Sequence, residues 1–255
     1  MIANSTKAAL ARGETVVGCF VRSPDATLTE FTALAGWDFL VFDGEHGSVQ
    51  ASDAADLCRA AQLHGVTPLA RVPAGDPPTI LRFLDAGVLG VHVPNVRSAE
   101  ETERVVRAVK YGPTGIRGLA GNRLSGWRAD ATTTAEANRE TMVVVQVETA
   151  EAVAAIDELV AVEGVDVLFI GPTDLSQALG VTGDTGHPRM REAMDRIADA
   201  VVPSPAALGM FAAGPATVRA WRERGARYFA TGVEPLLRPA MQAYLEAIRT
   251  EEGGM

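Results

Sequence analysis

The chain has 255 residues, 47% of them hydrophobic and 22% charged, with a net charge of −9. That length suits one large domain or two small ones, and the composition is that of a globular protein with ample core. No basic stripe is present to neutralise phosphates, no apolar run approaches a membrane span, and no basic-plus-apolar leader opens the sequence. Nucleic acid and membrane are therefore not expected partners, and a secretory signal is not expected.

In chain order, a short helix at 7–11 precedes a regular alternation. Apolar, β-branched runs fall at 15–20, 39–42, 67–71, 90–94, 142–147, 167–170, 207–211 and 228–231. Helical patterns follow them at 24–35, 51–64, 77–86, 99–109, 150–160, 189–201, 216–224 and 235–249. Ser23 before Pro24, Asp76 before Pro77, Ser98 before Glu101 and Thr149 before Glu151 mark helix starts, and Gly36, Gly65, Gly87 and Gly225 mark ends. Eight β-then-α units predict one (β/α)8 TIM barrel over residues 1–255, with near-continuous apolar strands because both sheet faces are covered. The long irregular stretch is 111–131, rich in Gly and Arg; its arginines Arg117, Arg123 and Arg128 either cover the barrel mouth or are solvated.

Cys19 and Cys58 sit among apolar neighbours and form no spaced framework, which points to buried thiols in a reducing, cytoplasmic setting. Of the 23 cationic residues only Lys7 and Lys110 are lysines, so a Schiff-base mechanism has two candidates.

In such a barrel, chemistry sits where strands end and βα loops begin. The second strand runs into Asp43-Gly44-Glu45-His46-Gly47, the third ends in Arg71, and the fifth in Gln146-Val147-Glu148. The sixth runs into Gly171-Pro172-Thr173-Asp174, and the seventh into Phe211 and Gly214. Glu148 and Asp174 end adjacent strands, about 4.8 Å apart, so their carboxylates can converge on a hard divalent ion such as Mg2+ or Mn2+. The alternative is that each merely caps the helix or turn after it. Asp43 beside His46 suits a base with a fixed tautomer, unless His46 only satisfies loop backbone. Arg71 points its fork at the mouth, where it can bind a carboxylate, hold oxyanion charge, or pair with Asp43 or Glu45. The Gly171–Asp174 turn offers backbone N–H groups as a carboxylate cradle. His92, between Val91 and Val93, reads as a barrel-interior or wall residue.

Together, Asp38-Phe39-Leu40-Val41-Phe42-Asp43-Gly44-Glu45-His46, Pro68-Leu69-Ala70-Arg71-Val72-Pro73, Tyr111-Gly112-Pro113-Thr114-Gly115-Ile116-Arg117-Gly118, Val145-Gln146-Val147-Glu148-Thr149 and the run from Glu163 to Ser176 resemble the HpcH/HpaI aldolase family. The similarity extends from about Gly13 to Ala247. The resemblance implies metal-dependent (class II) pyruvate aldolases acting on hydroxy-2-oxo acids. Glu148 and Asp174 then match the metal ligands, for Mg2+, Mn2+ or Co2+. His46 matches the base with Asp43 as its partner, and Arg71 the arginine that holds pyruvate and its enolate. Gln146, Gly171, Pro172 and Thr173 match the pyruvate pocket. Asp85 matches an acidic residue that reaches a neighbouring subunit's site, in a homo-hexamer whose last helix is exchanged between subunits. Phe20 stands where relatives often have Trp, and Phe211 where they often have a smaller aliphatic residue. With the 117–127 loop these place the chain's individuality on the aldehyde side.

The implied reaction is reversible cleavage of a 4-hydroxy-2-oxo acid to pyruvate and an aldehyde. Related lyases of the citrate-lyase and malyl-CoA type share two carboxylates and a metal, and oxaloacetate decarboxylation belongs to the same superfamily. A phosphosugar-binding barrel would need a Gly-rich cup after the last two strands, where Ala212-Ala213-Gly214-Pro215 and Thr231-Gly232-Val233-Glu234 make a poor one. A non-catalytic barrel has no evident reason to keep His46, Arg71, Glu148 and Asp174 together.

Overall fold

A computed structural model describes residues 2–252; residues 1 and 253–255, which the single-barrel expectation includes, lie outside it. The order is α1 (Ser5–Ala11), β1 (Val16–Val21), α2 (Ala26–Ala33), β2 (Phe39–Asp43), α3 (Ala51–Leu63), β3 (Thr67–Arg71), α4 (Pro77–Ala86), β4 (Gly90–Val93), α5 (Ala99–Val109), α6 (Ala131–Glu140), β5 (Met142–Val147), α7 (Ala150–Ala154), α8 (Ile156–Val160), β6 (Val167–Ile170), α9 (Pro172–Ala178), α10 (Pro188–Val201), β7 (Ala207–Phe211), α11 (Pro215–Glu223), β8 (Tyr228–Gly232) and α12 (Val233–Glu252). The eight strands are parallel and close in sequence order into a barrel.

Helix starts follow the side chains that can satisfy free N–H groups. Asp76 accepts from Thr79 N at 3.0 Å and Pro77 opens α4, while Gly87 ends it at φ 117°, a left-handed backbone that glycine adopts without strain. Ser98 caps α5 and Thr149 caps α7. Two expectations are corrected. The second helix begins after Asp25, whose carboxylate accepts from Leu28 N, so Ser23-Pro24 lies outside it. The 150–160 stretch is two short helices that meet at Ala155. α6 has no counterpart among the predicted elements. Its sequence, ATTTAEANRE, carries little apolar periodicity, and only the capping box of Asp130 and Thr133 announces it.

Strand parity divides the core. Cys19, Val21, Leu40, Phe42, Val91 and Val93 face the helix layer, whereas Val16, Phe20, Phe39, Val41, Leu69, Val144, Phe169 and Tyr228 fill the barrel interior. Gly18 is inward-facing because a Cβ there would overlap the Phe39 ring. That ring stacks on Tyr228, centroids 4.3 Å apart at 17°. The interior is thus packed solid beneath the mouth, as in other barrels of this type.

The 111–130 loop does not cover its own barrel mouth. It follows α5 back to the strands' N-terminal end, where Arg117 is buried, donates to Asp85 Oδ1 at 2.9 Å and lies over the Tyr111 ring. Arg123 donates to Gln62 Oε1 at 2.7 Å. Both lysines are at that same end. Lys7 pairs with Asp166 at 3.0 Å, and Lys110 donates to the Asn138 and Thr141 carbonyls. Cys19 and Cys58 are free and buried, and burial pushes both thiols up to about 12. No helix among the described residues is long and apolar enough to cross a membrane.

His92 is fully buried in the interior. Its Nε2 lies 2.6 Å from Tyr228 Oη, and the rings of Phe20 and Phe169 meet it edge-on. Burial, then the Arg71 charge, pushes its imidazole down to about 3 from its ordinary 6.5. The unfolded chain therefore binds a proton that the folded chain refuses between these values, and folding stability falls as pH drops from about 6.5 toward 3. Urea midpoints at pH 4 to 7 should show this slope. They should show a shallower one in the double variant His92→Leu/Tyr228→Phe, which removes both partners and leaves neither polar group orphaned.

Candidate active site

Continuing the inward parity past the strand ends brings the polar residues to one mouth. The cleft there, about 580 Å³ including its open side, is lined by Phe20, Arg22, His46, Arg71, Gln146, Phe169, Phe211 and the turn from Gly171 to Asp174. Phe20 and Phe211, centroids 6.2 Å apart, form its apolar side under β1 and β7.

Arg71 is the central cation. Its Nε and Nη2 donate to the two oxygens of Asp43 at 2.8 and 2.6 Å, and its Nη1 lies 3.2 Å from Glu45 Oε2. A guanidinium has five N–H groups; these contacts use three and leave two for a ligand. The guanidinium carbon also stands 5.0 Å from the Phe20 ring centroid, which adds a cation–π contact. Burial raises the Asp43 carboxyl, but the Arg71 hydrogen bonds and charge, with the backbone N–H groups of His46 and Glu45, outweigh it and hold Asp43 below its ordinary range.

This corrects the expected role of Asp43. Its carboxylate grips Arg71 and accepts from the backbone N–H groups of Glu45 and His46, both at 3.1 Å. It shapes the loop that carries His46 and does not orient the ring. The His46 ring is half-exposed over the cleft, with Nε2 4.0 Å from Glu45 Oε2. Gly47 is required next to it, because a Cβ there would overlap the carbonyl oxygens of Asp43 and Arg22.

Glu148 is buried. Its Oε1 accepts from Asn95 N at 2.8 Å and its Oε2 from Gln146 Nε2 at 2.8 Å. Asn95 holds a left-handed φ of 58° to present that N–H, and its side chain donates to Glu45 Oε1 at 3.1 Å. Neither carboxylate is a helix cap: Thr149 caps α7 and Gly171 stands at the start of α9, with Asp174 in the first turn. Burial, then the charges of Glu45 and Asp174, push the Glu148 carboxyl up to about 7, against the opposing Asn95 N–H and Arg71. Burial likewise raises Glu45, despite Arg71 and His46.

A buried carboxylate facing two others is short of positive charge, which a divalent cation would supply. Gln146 Oε1, buried with no hydrogen-bond partner, gives the cleft one more unspent polar atom. A side chain at Gly171 would overlap Glu148 Oε2, so the turn must approach this closely. Among the described residues no cluster of three or more His, Cys, Asp or Glu is placed to hold a metal ion. Glu148 and Asp174 offer carboxylate oxygens alone, a chemistry that fits a hard divalent ion better than a soft one.

Comparison with known proteins agrees with this geometry. The family model for HpcH/HpaI aldolase/citrate lyase matches residues 16–237. The chain belongs to the HpcH/HpaI aldolase/citrate lyase family. It is 38% identical over 241 residues to a hydroxypyruvate/pyruvate aldolase of Roseovarius nubinhibens, covering 92% of each chain. It is 35% identical over 230 residues to a 5-keto-4-deoxy-D-glucarate aldolase of Shigella boydii, covering 90% of each. A solved HpcH/HpaI family structure from Burkholderia cenocepacia superposes with a TM-score of 0.92 at 32% identity, over 97% of this chain and 100% of that one. As a member of this aldolase family the chain is a carbon–carbon lyase.

Most of the expected site residues meet at this mouth. Asp85 is the exception: it sits on α4 at the opposite end of its own barrel, paired with Arg117. Glu45 pairs with Arg71, as its place beside His46 allows. The fold adds Asn95 and Arg22 to the mouth, and Arg22 continues the inward parity of Phe20. Nothing local distinguishes Asn95.

The raised Glu148 carboxyl gives a measurable signature. Without metal, the folded chain keeps a proton that the unfolded chain releases between the ordinary 4.5 and about 7, so stability falls as pH rises through that window. A divalent ion bound beside Glu148 would offset this loss. The melting-temperature gain from Mn2+ should be small at pH 5 and several degrees at pH 8. In Glu148→Gln, which keeps the shape without the charge, the metal-free protein should melt higher at pH 8 and gain little from Mn2+. Scanning fluorimetry across pH with and without Mn2+ checks both.

Proposed function

We propose that this chain is a divalent-metal-dependent aldolase that reversibly cleaves a 4-hydroxy-2-oxo acid to pyruvate and an aldehyde. The observation that carries the reading is one cleft that holds the partly unspent Arg71 fork and Asp174, with the buried, charge-starved Glu148 behind Gln146 at its wall. Mg2+, Mn2+ or Co2+ held by Glu148 and Asp174 would supply Lewis acidity to the 2-oxo acid end of the substrate. The free N–H groups of Arg71 bind the 2-oxo oxygen and stabilise the charge that develops there. The backbone N–H groups of Thr173 and Asp174 cradle the carboxylate, with Gly171 and Pro172 shaping the turn. Gln146 orients Glu148 and faces the ligand. His46 takes the proton of the 4-hydroxyl as the C3–C4 bond breaks. The bonding pair moves to C3 and the 2-oxo oxygen, the new carbonyl leaves as the aldehyde, and protonation at C3 gives pyruvate. Phe20 and Phe211 line the aldehyde side.

The functional unit is one barrel domain spanning residues 1–255, working in the cytoplasm as a homo-hexamer. In support, α12 leaves Leu236, Met241, Tyr244 and Leu245 exposed, and an apolar cleft lined by Leu28, Phe31, Leu34 and Trp37 lies beside its start. Helix exchange would cover both. Asp85 and its loop, remote from their own mouth, would then reach a neighbour's.

His46→Ala should lower the aldol rate by on the order of 10²- to 10⁴-fold while leaving pyruvate affinity nearly unchanged, read by steady-state kinetics with pyruvate as a product inhibitor. Near-wild-type turnover would reduce His46 to a loop residue. Lys7 and Lys110 are at the far end of the barrel. Borohydride with pyruvate should therefore add no mass; a pyruvyl-lysine adduct would overturn the mechanism.

A further inference from the structure

The mouth carries a second arginine that the reaction as described does not use. Arg22 follows β1 directly, two residues beyond Phe20, so strand parity aims both at the interior, with Arg22 one layer nearer the solvent. It lines the same cleft as His46, Arg71 and Phe211. Its one ion-pair partner among the described residues is Asp43: Nε lies 3.4 Å from Oδ2, in a carboxylate already held by Nε and Nη2 of Arg71. The contact is through Nε, at the inner edge of the guanidinium. The side chain is 48% exposed, against 8% for Arg71. Arg22 is thus a cation that is tethered at its base and open at its tip.

Its position sets what the tip meets. In the closed barrel β1 stands four strands from β5, on the wall opposite Glu148. A substrate with its 2-oxo acid end between Arg71 and the Glu148–Asp174 pair therefore points its other end across the Phe20 and Phe211 rings toward Arg22. That wall is otherwise apolar, with Phe20 and Phe211 4% and partly exposed. A lone guanidinium at the rim of an apolar wall is worth little to a neutral aldehyde, and it provides one planar fork, the geometry of a carboxylate.

The geometry assigns to Arg22 the role of a specificity-determining residue: it binds the carboxylate of an acidic aldehyde partner and thereby selects aldehydes that carry one. This rests on the aldolase reading above. Arg22 takes no part in making the enolate, because it lies away from the Glu148–Asp174 pair and touches Arg71 only through their shared Asp43.

The test compares two acidic aldehydes, glyoxylate and succinic semialdehyde, with the neutral acetaldehyde and pentanal, each with pyruvate and Mn2+. Wild type, Arg22→Ala and Arg22→Lys are assayed beside exchange of the pyruvate methyl protons in D2O, and melting temperatures confirm folding. In Arg22→Ala, kcat/KM for the acidic aldehydes should fall about 10- to 100-fold further than for the neutral ones, the span expected for a lost charge-assisted hydrogen bond. The loss should appear mainly in KM. Arg22→Lys should recover part of the discrimination, and proton exchange should persist in both variants. Equal losses for acidic and neutral aldehydes would show that Arg22 only braces Asp43 and the His46 loop, and would overturn the assignment. So would unchanged discrimination in a folded Arg22→Ala. Failure of the wild type to exchange pyruvate protons would instead strike the aldolase reading itself, and the assignment with it.

Discussion

The site depends on one buried ion pair. Asp43 and Arg71 end neighbouring strands in register, and the two-point contact between them locks the guanidinium plane at the floor of the mouth. Burying such a pair costs several kcal/mol of lost hydration per ion, and its mutual attraction repays this only when geometry is close to ideal. The structure meets that condition. Both Asp43 oxygens are engaged, one of them also by two backbone N–H groups, and Glu45 takes a third side of Arg71. The pair fixes orientation, which hydrophobic residues of similar size would not. From it follow the direction of the two free Arg71 N–H groups, the fold of the loop bearing His46, and the tethering of Arg22.

Charge in the mouth is unevenly distributed. On one side, β1 to β3 bring Arg22 and Arg71 against Asp43 and Glu45. On the other, β5 and β6 bring Glu148 and Asp174, for which no ion pair is formed among the described residues. Asn95 links the two sides, because its backbone N–H and side-chain amide hold a carboxylate from each. Its left-handed backbone is a local cost that persists only when the surroundings enforce it, and such costs gather at functional sites. The proposed metal on one wall and the 2-oxo acid between the walls would both answer this imbalance.

The barrel interior explains why the mouth stays in place. Large rings at Phe39, Phe169 and Tyr228 alternate with glycines at 18, 90 and 209, so the layers below the site interlock and leave the top layer to chemistry. The N-terminal end carries Lys7, Lys110, Asp166 and the Arg117–Asp85 pair, none of which touches the cleft.

The sequence by itself determined the repeat of strand and helix, several strand bounds to the residue, and the identity of most polar groups at the mouth. Period-two apolar runs and capping residues are local physics, written in neighbouring positions. Local pattern also carried an error: Asp43 beside His46 in sequence suggested a carboxylate–imidazole pair, whereas the fold brought Arg71, 28 residues away, to claim that carboxylate first. Only the tertiary structure decided which end of the barrel the 111–130 loop covers, that Asp85 stands far from its own cleft, and that Asn95 and Arg22 belong to the site. These are matters of which strand lies beside or across from which. A closed barrel fixes them through register and closure, which no short stretch of sequence contains.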